Sequence, residues 1–382
     1  MLRFRSHRPN LKDKVKVFSS LKRLLHGLWL TILSLMFVFN LGPVGINAAT
    51  TALPYPIMHF TSDELEQQNQ LALSAPIAAA HAQVSRELDA QLYGNALSLL
   101  SRLSYVPKER DQGDNGSCWV WTSTGIMEIA LNVQRGITNR LSIQYVMSNY
   151  NGGSGTDWAG NGGNATVFAN FYNSKKLIIP WSNLNANYQD YHSINGTIVP
   201  ASSISTDPNF GLTSVATSRI QTFGVSTASA ISNIKAILNQ NKGVYFGFYL
   251  ANTNDWKQFT TWWSTQPETS IWNYGFSDNK LIDPVTGGGH GVLCVGYDDS
   301  DADPAKHYWI MLNSWGNTSG RPGDLFRIPM EYNYSSADSS GIYHTSWWTI
   351  TPVYTVMIDK AGTTPSIPSS SINPKSSVPA YW

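Results

Sequence analysis

Cysteine is almost absent from this chain of 382 residues, which carries only Cys118 and Cys294. Two cysteines exclude a disulfide scaffold, and the lack of a CxxC pair or a His/Cys cluster excludes a structural zinc site. We therefore expect neither a metal nor a cofactor. A single bridge between the two cysteines stays open as an alternative, although their different surroundings favour separate roles.

Charge is also scarce, since charged residues make up 13% of the chain. Eight of the 26 basic residues and one of the 25 acidic residues lie in positions 1–26, so the rest of the chain is mildly acidic. Such a body lacks the clustered cations that bind phosphates, which excludes a nucleic-acid-binding protein. The hydrophobic content of 42% excludes general disorder. The body is expected to fold.

The sequence has no uninterrupted apolar run of the ~20 residues that a membrane span needs. Its longest candidate is Gly27–Phe39, thirteen uncharged residues that follow the basic leader and precede a stretch of small residues. This order is typical of a secretory signal peptide, with a retained N-terminal anchor and a buried core helix as alternatives. Residues 1–49 therefore predict a secreted or cell-surface protein, in contact with a membrane only through such an anchor.

Two regions flank the body. Residues 50–104 are rich in Ala, Gln, Leu and Ser with helical periodicity, and Ser62 is a candidate cap for a first helix. A second helix is predicted from about Ile77 to Gly94. We interpret this segment as a helical propeptide or an accessory element. Residues 361–382, with six Ser and four Pro, are interpreted as a tail or linker.

The body, residues 105–360, has loops rich in Gly, Asn and Trp between its periodic stretches. Helical patterns such as Cys118–Asn132 lie mainly in its first half, and short strands such as Gly243–Leu250 and Gly291–Tyr297 lie in its second. Segregated helices and strands predict an α+β fold.

Cys118 is a candidate nucleophile. A turn containing Gly113 and Gly116 leads into an apolar helical stretch, so the cysteine is expected in the first turn of a helix. There the helix dipole and the unpaired N–H groups stabilise a thiolate. Gln112 offers a side-chain amide that could complete an oxyanion hole. Taken alone, a cysteine is more often a small buried apolar residue.

Two further residues complete a catalytic order. His290 follows three glycines at the start of a strand, a setting that suits a general base acting on a cysteine. The side-chain oxygen of Asn313 can accept the second imidazole N–H, and Trp315 can shield that hydrogen bond from water. Nucleophile, base and orienter are the three roles of a catalytic triad.

These residues lie in motifs that resemble those of papain-like cysteine peptidases, over roughly residues 105–355. The matching motifs are Gln-Gly-x-x-Gly-Ser-Cys-Trp at 112–119, Leu-Ser-x-Gln at 141–144, Asn-Gly-Gly at 161–163, Gly-His-x-Val at 289–292 and Asn-Ser-Trp-Gly at 313–316. The resemblance implies a two-lobed papain-like fold with a helical first lobe, a β-rich second lobe and the active site in the cleft between them.

The resemblance also implies residue roles: Cys118 is the nucleophile, His290 the acid/base, Asn313 the orienter, Trp315 a supporting residue, Gln112 part of the oxyanion hole, and Gly162 and Gly163 binders of the substrate backbone. The function implied is an exported endopeptidase that acts through a thioester on Cys118. An acyltransferase or transpeptidase using the same intermediate, and a non-catalytic surface-binding protein, are the alternatives. Protein or peptide substrates are the expected partners of a monomeric protein.

The chain departs from the family pattern at several positions. Cysteines usual in the family are replaced by Asn115 and Gly160, so one crosslink and its ~3 kcal/mol of unfolded-state restraint are missing. Gly291 stands where the family commonly has Ala. Long spacings between the triad residues predict insertions within 183–230 and 252–288. The charged helix motif of the usual prodomain is not found in the segment upstream of the body.

Overall fold

The computed structural model describes residues 56–78, 95–276 and 278–355. The predicted signal or anchor, most of the second predicted helix and the predicted tail lie outside the described residues. Within the described ranges, no helix has both the length and the apolar character needed to cross a membrane.

The second half of the described chain is dominated by one antiparallel sheet. The strands are β1 (Ala96–Ser98), β2 (Leu177–Ile178), β3 (Phe210–Arg219), β4 (Val244–Leu250), β5 (Gly288–Asp298), β6 (Tyr308–Leu312), β7 (Leu325–Pro329) and β8 (Thr345–Tyr354). Their spatial order in the sheet is β2-β3-β8-β4-β5-β6-β7, with β1 paired to part of β5.

Helices lie before the sheet and between its strands. They are α1 (Ser62–Ser74), α2 (Cys118–Arg135), α3 (Ile143–Asn149), α4 (Ala165–Lys175), α5 (Thr227–Leu238) and α6 (Thr253–Thr265). Most α2 residues are buried, because this helix packs against β5 and β8 at the centre of the core. It ends at Gly136, whose φ of 67° is the left-handed conformation that glycine adopts without strain. The predicted α+β class is therefore confirmed.

The helix predicted in the upstream segment is α1, but its cap differs from the prediction. Thr61, not Ser62, is the N-cap: its hydroxyl accepts from the Glu64 N–H, and the Glu64 carboxylate accepts from the Thr61 N–H. Such a capping box satisfies two backbone donors at once, which Ser62 could not do because the residue three positions on is Leu65.

Strand β1 ties part of the upstream segment to the body. Ala96–Ser98 pairs with Gly296–Asp298 of β5, and the Leu99 side chain that follows is buried. The predicted domain boundaries stay predictions, but Leu99 and Leu103 already belong to the core that the body shares.

Hydrogen bonds hold the loops where the family crosslink is missing. The Asn115 side chain donates to the Tyr188 hydroxyl at 2.8 Å, and the Gly116 N–H donates to the Gly160 carbonyl at 2.6 Å. A Cβ at position 160 would lie 2.3 Å from the Trp158 ring. The indole therefore occupies the space that a cysteine at this position would need.

The region 252–288, where an insertion is predicted, contains α6 and an aromatic cluster. Trp256, Phe259 and Trp263 of this helix are fully buried. Phe259 and Trp263 each lie 5.6 Å, ring centroid to ring centroid, from Trp315. Aromatic packing of this kind fixes ring orientation as well as burying area, so α6 supports the region around His290.

Candidate active site

Cys118 is the first residue of α2 and is fully buried. The Gly291 N–H lies 3.4 Å from its sulfur, in a hydrogen bond that joins α2 to β5. Burial raises the pKa of the Cys118 thiol to about 12, opposed by the N–H groups of Gly291, Trp119 and Cys118 itself. In this covered arrangement the thiol is neutral, although the donors that stabilise a thiolate are in place.

His290 lies on β5, one residue before Gly291. Its Nε2 is 2.7 Å from Asn313 Oδ1, and Nδ1 has no hydrogen-bond partner among the described residues. Burial lowers the pKa of His290 to about 4, opposed by the hydrogen bond to Asn313. The neutral ring must carry its proton on Nε2 to donate to Asn313, which leaves Nδ1 as the basic atom.

Aromatic rings hold the imidazole on several sides. The Trp315 ring centroid lies 4.6 Å from that of His290 at an interplanar angle of 30°. Phe248 and Trp256 approach edge-on at 5.7 and 6.5 Å. Trp315 thus contacts the imidazole, and the other two rings were missed because neither belongs to a motif.

Gln112 is anchored from both its main chain and its side chain. Its N–H donates to the Ser314 carbonyl, and the Ser314 hydroxyl donates to Gln112 Oε1, both at 2.8 Å. The amide Nε2 is therefore turned to the other side, 2.7 Å from the Asn115 carbonyl and 3.5 Å from that of Pro56. Ser314 was missed as an anchor, although it belongs to the Asn-Ser-Trp motif.

The two glycines of the Asn-Gly-Gly loop have different surroundings. Gly162 has a φ of 134°, and a Cβ there would contact the Met58 side chain at 3.4 Å. A Cβ on Gly163 would lie 2.5 Å from the Trp119 ring, so this glycine is needed for Trp119 to pack. Gly163 also lines a cavity of about 40 Å³ together with Gly289 and His290. The structure brings the predicted site residues to one region.

This chain is similar to known proteins over most of its length. The family model for papain family cysteine proteases matches residues 99–345. The chain belongs to this family. It is 22% identical to cathepsin L of Sarcophaga peregrina over 297 residues, 75% of this chain and 71% of that protein. The predicted papain-like fold and cysteine peptidase class are thereby confirmed.

Solved structures of similar proteins include a cysteine protease and a second protease. Xylellain from Xylella fastidiosa is 18% identical with a TM-score of 0.48, covering 78% of this chain and 96% of its own. The bromelain protease from Ananas comosus, in complex with the E64 inhibitor, is 17% identical with a TM-score of 0.46, covering 67% and 98%.

In this papain-family protease, Tyr245 accounts for the glycine at position 291. Gly247 and Gly291 are paired across β4 and β5. A Cβ on Gly291 would lie 2.7 Å from the Tyr245 hydroxyl oxygen, and one on Gly247 would lie 3.3 Å from the Tyr245 ring. The phenol therefore lies across two glycines beside the active site, in space that the usual alanine would enter.

Gly291→Ala is expected to destabilise the protein by about 1–3 kcal/mol, because the new methyl group forces the Tyr245 ring to move. In a Tyr245→Leu background the same change should cost at least ~1 kcal/mol less, because the obstructing hydroxyl is gone. Urea unfolding of the wild type, both single variants and the double variant measures this coupling. Additive effects would show that the two residues do not compete for space.

Proposed function

We propose that this papain-family protease is an exported endopeptidase that hydrolyses peptide bonds through a thioester on Cys118. The observation that carries the proposal is the bond from His290 Nε2 to Asn313 Oδ1, which leaves Nδ1 free beside the residue that contacts the thiol. Export rests on the leader sequence of residues 1–49. Protein or peptide substrates are the partners, and the protein acts as a monomer at the cell surface or after secretion.

The proposed reaction has two steps. The Cys118 thiol gives its proton to His290 Nδ1, the sulfur attacks the substrate carbonyl carbon, and the C–N bond breaks as the leaving amine takes the proton back. Water then attacks the thioester while Nδ1 takes one of its protons, and the C–S bond breaks to release the acid and restore the thiol. Gln112 Nε2 and the Cys118 N–H stabilise the oxyanion in both steps.

A peptide-library cleavage assay tests this proposal against its alternatives. The wild type is compared with Cys118→Ser, with and without an added amine, and products are identified by mass spectrometry. Hydrolysis predicts free carboxylate products that the variant does not form. Amide products that dominate when the amine is present would favour a transpeptidase, and intact peptides throughout would favour a binding protein.

The upstream segment lies across the site. Met58 exchanges two hydrogen bonds with Gly289, each 2.8 Å long, and forms a β-bridge next to His290. The Asn69 side chain of α1 donates to the Gly341 carbonyl at 3.1 Å. Met58, Leu65 and Ala72 are all buried. These contacts cover the cavity beside His290.

The direction of this segment supports an inhibitory role. Pro56 lies beside Gln112, and Phe60 lies beside Gly162. By the family resemblance, a substrate runs from the Asn-Gly-Gly loop toward the oxyanion hole, whereas this segment runs away from it. The chain direction of the segment is therefore opposite to that of a substrate. We propose that the segment is an inhibitory propeptide.

Met58→Pro is expected to expose Cys118 in the uncleaved chain, because proline removes the N–H that pairs with Gly289. At pH 6 the covered site is neutral, with the pKa of Cys118 raised to about 12 and that of His290 lowered to about 4 by burial. We expect alkylation by iodoacetamide at pH 6 to accelerate about 10-fold or more, as water enters and a thiolate–imidazolium pair forms.

Gln70→Ala is the matched control for this variant, since Gln70 lies on α1 with an exposed side chain whose amide contacts Glu66 of the same helix. Its alkylation rate should equal that of the wild type. Fast alkylation of the uncleaved wild type would make the segment an accessory element.

Maturation is expected to cut the chain upstream of the body. Because the body is predicted to begin at residue 105, a propeptide would be cleaved near Leu103 to Lys108. However, β1 and the buried Leu99 are held by β5. Cleavage between Ala78 and Asn95 would release α1 and keep these contacts. N-terminal sequencing of the active protein decides between the two sites, and an active form that retains α1 would contradict maturation altogether.

A further inference from the structure

Arg110 links the two parts of the active site, although its position two residues before Gln112 carries no motif signal. Its side chain is buried. Nε donates to the Asn313 carbonyl at 2.5 Å, and Nη2 donates to the Trp121 carbonyl at 3.3 Å. Trp121 lies on α2, three residues after Cys118. One guanidinium therefore contacts both the helix of the nucleophile and the main chain of the orienter.

The main chain around Asn313 is held on both sides. Its N–H donates to the Asp324 carbonyl at 3.0 Å, while its own carbonyl accepts from Arg110. The Gly316 N–H also donates to the Arg110 carbonyl at 2.9 Å. In contrast, Asn313 Nδ2 has no hydrogen-bond partner among the described residues. The Asn313 side chain therefore depends on its main-chain position to stay aligned with His290.

Burial and neighbouring ionisable groups act on the pKa of Arg110 in opposite directions. Burial lowers the pKa of Arg110, whereas Asp324, Glu128 and Tyr105 raise it and Arg140 lowers it further. Burial likewise raises the pKa of Asp324, and attraction to Arg110 opposes that rise. Buried charges of this kind are weak evidence for stability, because desolvation offsets their attraction. The hydrogen-bond geometry of Arg110 instead suits a role in holding the Asn313 main chain in place.

We propose that Arg110 is a positioning residue for the reaction, acting on His290 through Asn313. This inference rests on the proposed peptidase function and adds to it a residue that touches neither substrate nor the reacting atoms. Without the guanidinium, the Asn313 carbonyl loses its donor and the 2.7 Å contact to His290 loosens. The imidazolium is then less well held, so the thiolate–imidazolium pair forms over a narrower pH range.

The first experiment compares Arg110→Met and Arg110→Lys with Arg140→Met, each expressed as the full-length chain and assayed after maturation. Arg140 is the matched control because it lies near the same Glu128, yet its side chain pairs with Glu109 and stacks on Trp181. Active sites are counted by titration with an epoxide inhibitor, so that misfolded protein does not enter the rate. Thermal unfolding is recorded for each variant.

Arg110→Met should lower kcat per titrated site about 10- to 100-fold with KM within about 3-fold, since ground-state substrate binding is untouched. The acid limb of the thiol alkylation profile should move up by about one pH unit, because a poorly held imidazolium stabilises the thiolate less. Arg110→Lys should recover part of the rate. Arg140→Met should leave both kcat and the acid limb of the alkylation profile unchanged.

A double-variant cycle with Asn313→Ala tests whether Arg110 acts through Asn313. We expect Asn313→Ala to lower turnover by about 10- to 1,000-fold without removing it, because Cys118, His290 and the oxyanion hole remain. If Arg110 acts through Asn313, adding Arg110→Met to the Asn313→Ala variant should lower the rate by a further factor of less than about 3. Multiplicative losses, or an unchanged alkylation profile in Arg110→Met, would overturn the positioning role.

The alkylation profile separates this inference from the proposed function. If the wild type hydrolyses no peptide, the peptidase proposal fails, but the profile still reports the state of the Cys118 thiol. A shift in Arg110→Met alone would then support the positioning role. If the wild type hydrolyses peptides and Arg110→Met does so at the same rate, the peptidase proposal is supported and the positioning role of Arg110 is contradicted.

Discussion

Cys118→Ala is expected to abolish peptide hydrolysis and covalent labelling while leaving the fold intact. Alanine removes the sulfur that forms the thioester, whereas α2 keeps its packing against β5 and β8. On the matured chain, peptide cleavage measures hydrolysis and alkylation by an iodoacetamide-type reagent measures covalent labelling. Circular dichroism measures whether the fold is intact.

Cys294→Ala is the matched control, because both cysteines are free thiols and both are fully buried. The Cys294 sulfur lies 3.5 Å from the Gly296 carbonyl, within the β5 strand. Its removal should cost some stability through the small cavity left behind and keep most activity. Substantial turnover in Cys118→Ala would show that Cys118 is not the nucleophile. So would a loss of labelling in Cys294→Ala that does not occur in Cys118→Ala.

Gln112→Ala is expected to lower kcat about 10²-fold or more, the usual effect of removing one oxyanion donor. KM should change little, because the amide meets developing charge and is not expected to hold the ground-state substrate. Steady-state kinetics on a short peptide, with active sites titrated, measure both constants.

Gln258→Ala is a suitable control, since this glutamine lies on α6 with an exposed side chain. Its kinetics should match those of the wild type. An unchanged kcat in Gln112→Ala would mean that other donors stabilise the oxyanion. Gln112 would then have only a structural role, through its hydrogen bonds to Ser314 and Asn115.

Several parts of the fold and the site could be predicted because they depend on local chemistry. The helix at Cys118 follows from a glycine turn before an apolar stretch, and the strand after His290 follows from its continuous apolar character. The order of thiol, imidazole and amide follows from what nucleophilic catalysis requires. The cap at Thr61 was missed by one residue, since Thr and Ser are both good N-caps and Glu64 decided between them.

Long-range contacts determine the features of the site that local sequence patterns could not predict. Arg110 and Asn313 are 203 residues apart in sequence, and so no local pattern links the guanidinium to that carbonyl. The phenol of Tyr245 meets Gly291 only because β4 and β5 pair in one register, in which Gly247 lies opposite Gly291. A shift of one residue would turn Tyr245 to the other face of the sheet.

The sequence by itself determined the class of chemistry, because a thiol, an imidazole and an amide in these motifs need only be brought together by a stable core. The tertiary structure alone decided that Met58 pairs with Gly289, since β-bridges depend on which strand edge the rest of the fold leaves open. It also decided the direction of that segment across the site. The local sequence of residues 56–60 is compatible with either direction, and only the contacts of Pro56 and Phe60 distinguish them.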